Sequence, residues 1–497
     1  MSYLEEAKRL VRDLDQRMGP SPYDIAWMAR LRTGGDGEPR WPGLLNWLIE
    51  NQHLDGSWGG EIEYFHDRII CTVAAMIALR ENGSHSRAKS AIARGGKYLW
   101  HHLHLLRNDP TELVGFELVF PTLLAQAQGL GLDVPTHAYG YGEVQAAKLR
   151  LIPPHMLYSS RISTVYSLEF LGASGDVERL EQALNSNGAL GNSPATTAYY
   201  LWLRSEGDER AEAYLETVRT DREDIIPVYP FRTFERTWVL NNLTFSGLPV
   251  TTYADGYLWS ELREELGTRG AGFDVTFGIP DGDTTSVCCR LLLEAGHDVD
   301  PTVLARYEDR KERLIRTYDY ERNASVSTNV HALDALQQMP GYPDREAVRE
   351  QIAVMLLSKR VYNTYWADKW HASPYYATAH ALVTLSREGS HLIHGCRHTV
   401  EWLIRTQRED GSWGYFSRGT QEETAYVLAA LIHLAPIYGF GTDPIHRGAE
   451  YLARAYEEGR GYPPLWIVKC LYAPQDIIRS AVLAALIRYE QTFGRSP

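Results

Sequence analysis

Only five of the 497 residues are cysteines, Cys71, Cys288, Cys289, Cys396 and Cys470. An odd number argues against a disulfide framework, and the spacing matches no metal motif. Runs of Lys or Arg are absent and the net charge is -13, so a nucleic-acid partner has no electrostatic support. No apolar run reaches the length of a membrane span. The first residues, MSYLEEAKRLVRDLDQRM, are charged and amphipathic, unlike a secretory leader. A reducing cytoplasm is the expected location. Convincing runs of alternating polar and apolar residues are also missing, which speaks against a sheet-based fold.

What is present is helical. The segments CTVAAMIALREN (71–82), AVREQIAVMLLSKRV (347–361), ETAYVLAALIHLA (423–435) and RSAVLAALIRYEQ (479–491) space apolar residues three and four apart. The chain is 44% hydrophobic and 23% charged, as soluble globular proteins are, and its length predicts two domains. One element occurs twice, QHLDGSWG at 52–59 and QREDGSWG at 407–414. Each follows a Trp-Leu-Ile helix end and precedes another apolar helix. A repeated helix–turn–helix unit predicts stacked helical arrays with the Trp packed over the joint. With 13 Trp and 30 Tyr, aromatics exceed what core filling asks for. The stretch GIPDGDTTS (278–286) sets Asp281 and Asp283 one residue apart, ahead of hydroxyl side chains. Taken alone it reads as a surface turn.

The QxxDGSWG repeats, the DxD followed by Thr and the segment SPYDIAW (21–27) together resemble the class II terpene cyclases, and among them the bacterial diterpene cyclases of the DxDTT subgroup, the family of halimadienyl and copalyl diphosphate synthases. The likeness extends through VGFELVFPTLL (114–124), AAKLRLIP (146–153), YSLEFLG (166–172), STNVHAL (327–333), DKWHASPYYATAH (368–380), EETAYVLAAL (422–431) and PLWIVKCLY (464–472). It implies an all-α fold of two α/α-barrel domains, named β and γ, with the reaction chamber between them. Residues 1–20 are expected to give the first helix of the β domain, 21–260 the inserted γ domain, and 261–497 the rest of the β domain with the acid motif.

Such enzymes begin a carbocation cascade by protonating an alkene, a very weak base. An ordinary aspartic acid, with a pKa of about 3.9, is ionised at neutral pH. Burial and a neighbouring carboxylate can keep one of a close pair protonated. The resemblance makes Asp283 the general acid, Asp281 the group that holds and recharges it, and Asn329 and His331 its hydrogen-bond partners. Thr284 stands where most of the family has a third acid. A dry, electron-rich wall must then hold the cation, and Tyr166, Trp238, Tyr365, Trp366, Trp370, Tyr375 and Tyr376 are the candidates. No adjacent Asp pair exists, so the metal-dependent ionisation of class I enzymes is not expected and the product keeps its diphosphate. Lys148 and, more weakly, Lys369 are the expected diphosphate contacts. Asp109 and Glu112, with Glu117 behind them, are the expected Mg²⁺ ligands. Plant copalyl synthases position a water base with a His and an Asn. The matching positions here are Tyr166 and Pro227, so a rearranged halimadane- or clerodane-type skeleton is expected, and Tyr166 is left open as barrier, base or wall.

The resulting expectation is a cyclase of geranylgeranyl diphosphate, followed by a separate class I terpene synthase or phosphatase, with homodimerisation open. A drimenyl-type sesquiterpene cyclase acting on farnesyl diphosphate and a non-catalytic prenyl-lipid-binding α-barrel protein are the alternatives.

Overall fold

A computed structural model describes residues 2–494 apart from 35–36, 84–85, 138–139, 320 and 322. Helices dominate, and among the described residues strands are confined to two short antiparallel ribbons, Glu308–Asp309 with Leu314–Ile315 and Trp466–Ile467 with Leu471–Tyr472. No helix of the described residues is long and apolar enough to cross a membrane. All five cysteines are buried and unpaired by disulfides.

Two helical rings organise the chain. In the second, the helices Arg232–Thr244, Gly282–Glu294, Val326–Gln337, Pro374–Glu388, Gln421–Tyr438 and Gln475–Phe493 pack each on the next, and the last returns to the first. Their central positions are buried all round; Gly282 through Leu292 form an unbroken buried run. Outside this ring lie Tyr3–Arg12, Gly256–Leu266, Arg345–Ser358 and Asp443–Glu457. Tyr3–Arg12 buries only Ala7, Leu10 and Val11, the single stripe of an outer helix. The first ring joins Pro22–Ala29, Phe65–Asn82, Phe116–Gly129, the 3-10 segment Ser163–Ser174 and Pro194–Arg204, with Pro42–Glu50, Ser86–His102, Tyr141–Leu149 and Glu209–Thr217 outside. This is the all-α, double-barrel architecture expected from the sequence.

The boundary differs from the expected residue 260. The helix Arg232–Thr244 is an inner member of the second ring, packed on Gln475–Phe493, Gly282–Glu294 and Tyr3–Arg12. The inserted barrel therefore ends before Arg232. FERTWVLNN is too polar for its ring membership to be evident from the sequence, because Asn241 and Asn242 are buried through side-chain hydrogen bonds to Arg290 and Ser480.

The repeated QxxDGSWG units form helix corners. At the first, the Trp58 backbone N–H donates to Thr72 Oγ1 (3.0 Å) and its indole to the Leu48 carbonyl (2.6 Å). Trp413 repeats this with Thr424 Oγ1 (3.0 Å) and Leu403 O (2.7 Å). Trp366 makes the same pair of bonds, to Thr378 Oγ1 (3.0 Å) and Leu356 O (2.6 Å). It is a further corner tryptophan, fully buried, and not part of a reaction-chamber wall as the sequence suggested.

Candidate active site

The sequence around Asp281 builds another corner of this kind. Gly270 (φ +101°) makes the turn, the Ala271 N–H donates to Thr285 Oγ1 (3.0 Å), and the Asp281 N–H donates to the Ala271 carbonyl (2.8 Å). Asp281 then caps the helix Gly282–Glu294, accepting from the Thr284 N–H (2.6 Å) and hydroxyl (2.9 Å). Ser286 donates back to the Gly282 carbonyl (2.6 Å). Each hydroxyl of the DxDTTS stretch therefore has a local partner. The glycine between the acids is required: its N–H donates to Thr317 O (2.8 Å), and a Cβ there would lie 2.1 Å from the Arg316 carbonyl oxygen.

In the first turn of that helix, Asp283 Oδ1 lies 2.6 Å from His331 Nδ1. The His331 ring is fenced by Trp238, Tyr376 and His380, each 5.6–6.5 Å away between centroids, and its Nε2 has no partner. A bare lone pair is cheaper to bury there than an unmatched N–H donor, so the neutral tautomer carries its proton on Nδ1 and donates it to Asp283. Asp283 Oδ2 takes no hydrogen bond from any described residue. Burial first, and the charge of Asp283 second, push the Asp281 carboxyl up to about 8. Asp281 thus keeps its proton into the neutral range beside Asp283. Asn329 is not a partner of this pair. Its side chain accepts from the Ile315 N–H (3.0 Å) and donates to the carbonyls of Ile315 (2.9 Å) and Ser325 (2.8 Å), tying the ribbon to its helix.

Asp281 and Asp283 form part of the wall of a cavity of about 290 Å³ between the two barrels. Tyr166, Trp238, Trp370 and Tyr376 line it as expected, joined by aromatics that the sequence did not single out, Phe234, Phe273, Tyr318 and Trp466. Tyr365 and Tyr375 do not line it; both rings stack on Trp402, at 5.1 and 4.9 Å, on the outer side of the second barrel with Trp366. The DKWH cluster thus divides. Trp370 faces the cavity, Asp368 accepts from the Ser327 N–H and hydroxyl, and His371 Nε2 meets Glu422 (3.2 Å).

Toward the first barrel the cavity meets Glu117, which pairs with half-exposed Lys148. Lys148 sits on Tyr141–Leu149, a helix with no buried residue, held by Lys148, by Gln145 to the Leu118 carbonyl (2.6 Å) and by Tyr141. Lys369 is instead paired with Glu321 and donates to Asn323 O (3.1 Å); neither lysine is itself among the cavity-lining residues.

The expected Mg²⁺ ligands do not fit that role. The Asp109 side chain is only 3% exposed, and its oxygens take the N–H groups of Phe65 (3.1 Å) and His66 (2.7 Å) and His66 Nδ1 (2.7 Å). His66 Nε2 meets the Tyr141 hydroxyl (3.1 Å), which donates to Glu112 (3.0 Å). Asp109 and Glu112 are the two ends of a hydrogen-bonded chain that docks the Lys148 helix. Among the described residues, no group of three or more His, Cys, Asp or Glu could hold a metal ion.

Sequence reasoning missed the polar cluster behind Tyr166. Lys469 and Glu169, both fully buried, lie 2.7 Å apart, yet they are 300 residues apart in sequence and carry no local signature. The Tyr166 hydroxyl donates to the Pro227 carbonyl (3.0 Å), so the two positions that lack a plant-type water base are bonded to each other.

No family profile matches the chain. It is 34% identical to a type B diterpene cyclase of Mycobacterium tuberculosis over 95% of this chain and 96% of that protein. It is 28% identical to the (+)-kolavenyl diphosphate synthase of Herpetosiphon aurantiacus over 97% of each. The structure superposes on ent-copalyl diphosphate synthase from Streptomyces platensis with a TM-score of 0.77 at 27% identity, covering 98% of this chain and 99% of that one. A buried carboxyl pair at the wall of an aromatic cavity, on a fold and a sequence shared end to end with these proteins, places the chain in the family of type B, or class II, diterpene cyclases.

Proposed function

We propose that the chain cyclises geranylgeranyl diphosphate by protonation and releases a bicyclic, labdane-derived diphosphate, rearranged to a halimadane or clerodane type. The observation that carries this reading is the free Oδ2 of Asp283 at the wall of a cavity whose other surfaces are chiefly aromatic and aliphatic. With His331 on Oδ1, Oδ2 is the oxygen left to deliver the acid proton to the terminal alkene carbon. The electron pair of that alkene forms the new C–H bond, and the next alkene attacks the resulting tertiary cation. Asp281, protonated up to a pKa of about 8, resupplies the proton through the coupled pair. The faces of Trp238, Phe234, Phe273, Trp370 and Trp466 stabilise the cation by ring electrostatics in a water-poor space.

Termination differs from a water-base mechanism. Burial holds the Tyr166 hydroxyl far above its ordinary pKa, so it stays protonated and is committed to Pro227. It forms a wall there and not a base. Hydride and methyl shifts can then run further before a proton is lost, the route to a rearranged skeleton. The Herpetosiphon relative named for kolavenyl diphosphate supports that outcome.

Lys148 binds the diphosphate after exchanging Glu117 for it. Mg²⁺ enters this reading only as a counter-ion brought by the substrate, since Asp109 has no free oxygen. Incubation of wild type and Asp283→Asn with geranylgeranyl and farnesyl diphosphates tests the proposal. A cyclic diphosphate from wild type and the C20 substrate, with no inorganic diphosphate released, is the expected result. Turnover of the C15 substrate alone would establish the sesquiterpene alternative, and unchanged substrate the binding protein.

A further inference from the structure

Among the described residues, Lys469 has an unusual placement for an ammonium in this molecule. It lies in the turn of the ribbon formed by Trp466–Ile467 and Leu471–Tyr472, which belongs to the second barrel. That ribbon is inserted into the first: the Leu471 N–H donates to Asp67 (2.8 Å) and the Val114 N–H to the Val468 carbonyl (2.9 Å). Ile467 and Val468 line the cavity, while the next side chain passes behind its wall. There Lys469 Nζ donates to Glu169 (2.7 Å), Ser193 Oγ (2.7 Å), the Tyr166 carbonyl (2.8 Å) and Thr196 Oγ1 (3.0 Å). It also sits 4.5 Å from the centroid of the Tyr166 ring. Glu169 is held in turn by the hydroxyls of Tyr23 (3.0 Å) and Thr196 (2.7 Å).

A buried ion pair is a poor fastener, because desolvation of both charges offsets much of their attraction, and apolar packing would join two barrels as well. The geometry instead addresses a single wall residue. Lys469 grips the Tyr166 backbone through its carbonyl and the Tyr166 ring through its face, while Pro227 takes the hydroxyl. A ring so held cannot swing aside to admit water. Its electron density is also already drawn toward a fixed positive charge, so it is a weaker host for a substrate cation than Trp238 or Phe234, which have no such neighbour among the described contacts.

We infer that Lys469, neutralised by Glu169, is a positioning residue that locks Tyr166 as the dry, cation-poor end of the cavity and so sets where the cascade stops. The inference rests on the proposed cyclisation. When the lock is removed, water reaches the carbocation there. Its oxygen forms the C–O bond and its proton leaves to solvent, in place of the proton otherwise lost from the substrate carbon.

The test compares products from geranylgeranyl diphosphate in ¹⁸O-water for wild type, Lys469→Met/Glu169→Gln and Tyr166→Ala. The double change keeps volume and leaves no unpaired charge. The expected result is a labelled hydroxylated diphosphate from both variants and an unlabelled olefinic one from wild type. A double variant with the wild-type melting temperature and only the wild-type product would overturn the inference. Should the double variant not fold, Tyr166→Ala decides: the wild-type product alone shows that this ring excludes no water, and the role of Lys469 falls with it. Failure of wild type to form any cyclic product would instead refute the cyclase reading.

Discussion

The corner at Trp413 and the corner at Ala271 share two backbone hydrogen bonds and have opposite purposes. In each, a glycine with positive φ, Gly411 at +90° or Gly270 at +101°, leads into the turn. The Trp413 and Ala271 N–H groups both donate to a threonine hydroxyl at 3.0 Å, Thr424 or Thr285. The helix cap, Thr420 or Asp281, returns its own N–H to the Trp413 or Ala271 carbonyl, at 3.0 and 2.8 Å. What differs is the filling. At the first corner an indole plugs the space and the cap is a neutral hydroxyl. At the second, Ala271 fills nothing and the cap is a carboxylate, raised to about 8 by burial and by Asp283. The site is a structural joint with its plug removed and its cap made acidic.

Exchanging the parts gives the largest effects. Asp283→Asn removes the transferable proton and keeps the shape. Turnover is expected to fall by at least roughly a thousandfold, the scale of a lost general acid, with the helical circular dichroism unchanged. Asp281→Thr imports the Thr420 side chain. The helix stays capped, because Thr also accepts at that position, but the second carboxyl is gone. Multiple turnover should collapse while the melting temperature moves little. A melting temperature that collapses with the activity would show that the carboxylate is needed for the joint itself.

Trp413→Ala makes the converse cut. It empties a fully buried site and should destabilise the fold by about 3–5 kcal/mol, leaving activity per folded molecule intact at low temperature. Trp366→Ala should behave in the same way, in contrast with an effect on product that a chamber-wall role would give.

The two corners also differ in their response to pH. A free aspartate has a pKa of about 3.9, whereas Asp281 in the fold reaches about 8. The folded chain thus retains a proton that the unfolded chain has lost. The contribution of this group to stability is complete below pH about 4, falls as pH rises, and is lost above pH about 8. The neutral Thr420 cap contributes no such slope. The kcat/KM profile should show an alkaline limb with an apparent pKa near 8, and Asp281→Thr should displace that limb. A flat profile to pH 10 would sever the acid pair from the rate.

These contrasts show what the sequence could convey. QxxDGSWG announced two corners because its parts bond within eight consecutive residues: Gln52 and Gln407 donate to the carbonyls of Gly56 and Gly411, and Asp55 and Asp410 accept from the N–H groups of Ser57 and Ser412. Trp366 reads as a wall residue because it stands beside DKWH, and NTYWADK lacks the Gln and the Gly of QxxDGSWG; its partner Thr378 lies beyond an intervening loop. Asp281, Asp283 and His331 were legible through their motifs. Asn329 shares a motif with His331 but sits two residues away along its helix, so the two side chains leave in different directions and Asn329 meets the ribbon backbone. The Lys469–Glu169 pair and the Asp109–His66–Tyr141–Glu112 chain join residues distant in sequence, which no local pattern records. The domain boundary failed for a similar reason, since ring membership of Arg232–Thr244 is a property of its neighbours.

The smallest expected effect is the sharpest comparison. Thr285→Val and Thr424→Val each delete the same acceptor from the same place, orphaning the N–H of Ala271 or Trp413 in a buried corner. Each should cost about 1–3 kcal/mol, the penalty for an unpaired buried donor, and denaturant midpoints should drop by similar amounts. Only the Thr285 change reaches the chemistry. Thr285 stands beside Thr284, whose N–H and hydroxyl hold Asp281, and Ala271 returns the Asp281 backbone bond. Loosening that corner lets the capping carboxyl drift from Asp283 and weakens the repulsion that helps raise it. Thr285→Val should therefore shift the alkaline limb downward, whereas Thr424→Val, equal in stability, should leave it in place. Equal stability losses with equal pH profiles would mean that the acid pair is held by its own helix turn and owes nothing to the joint beneath it.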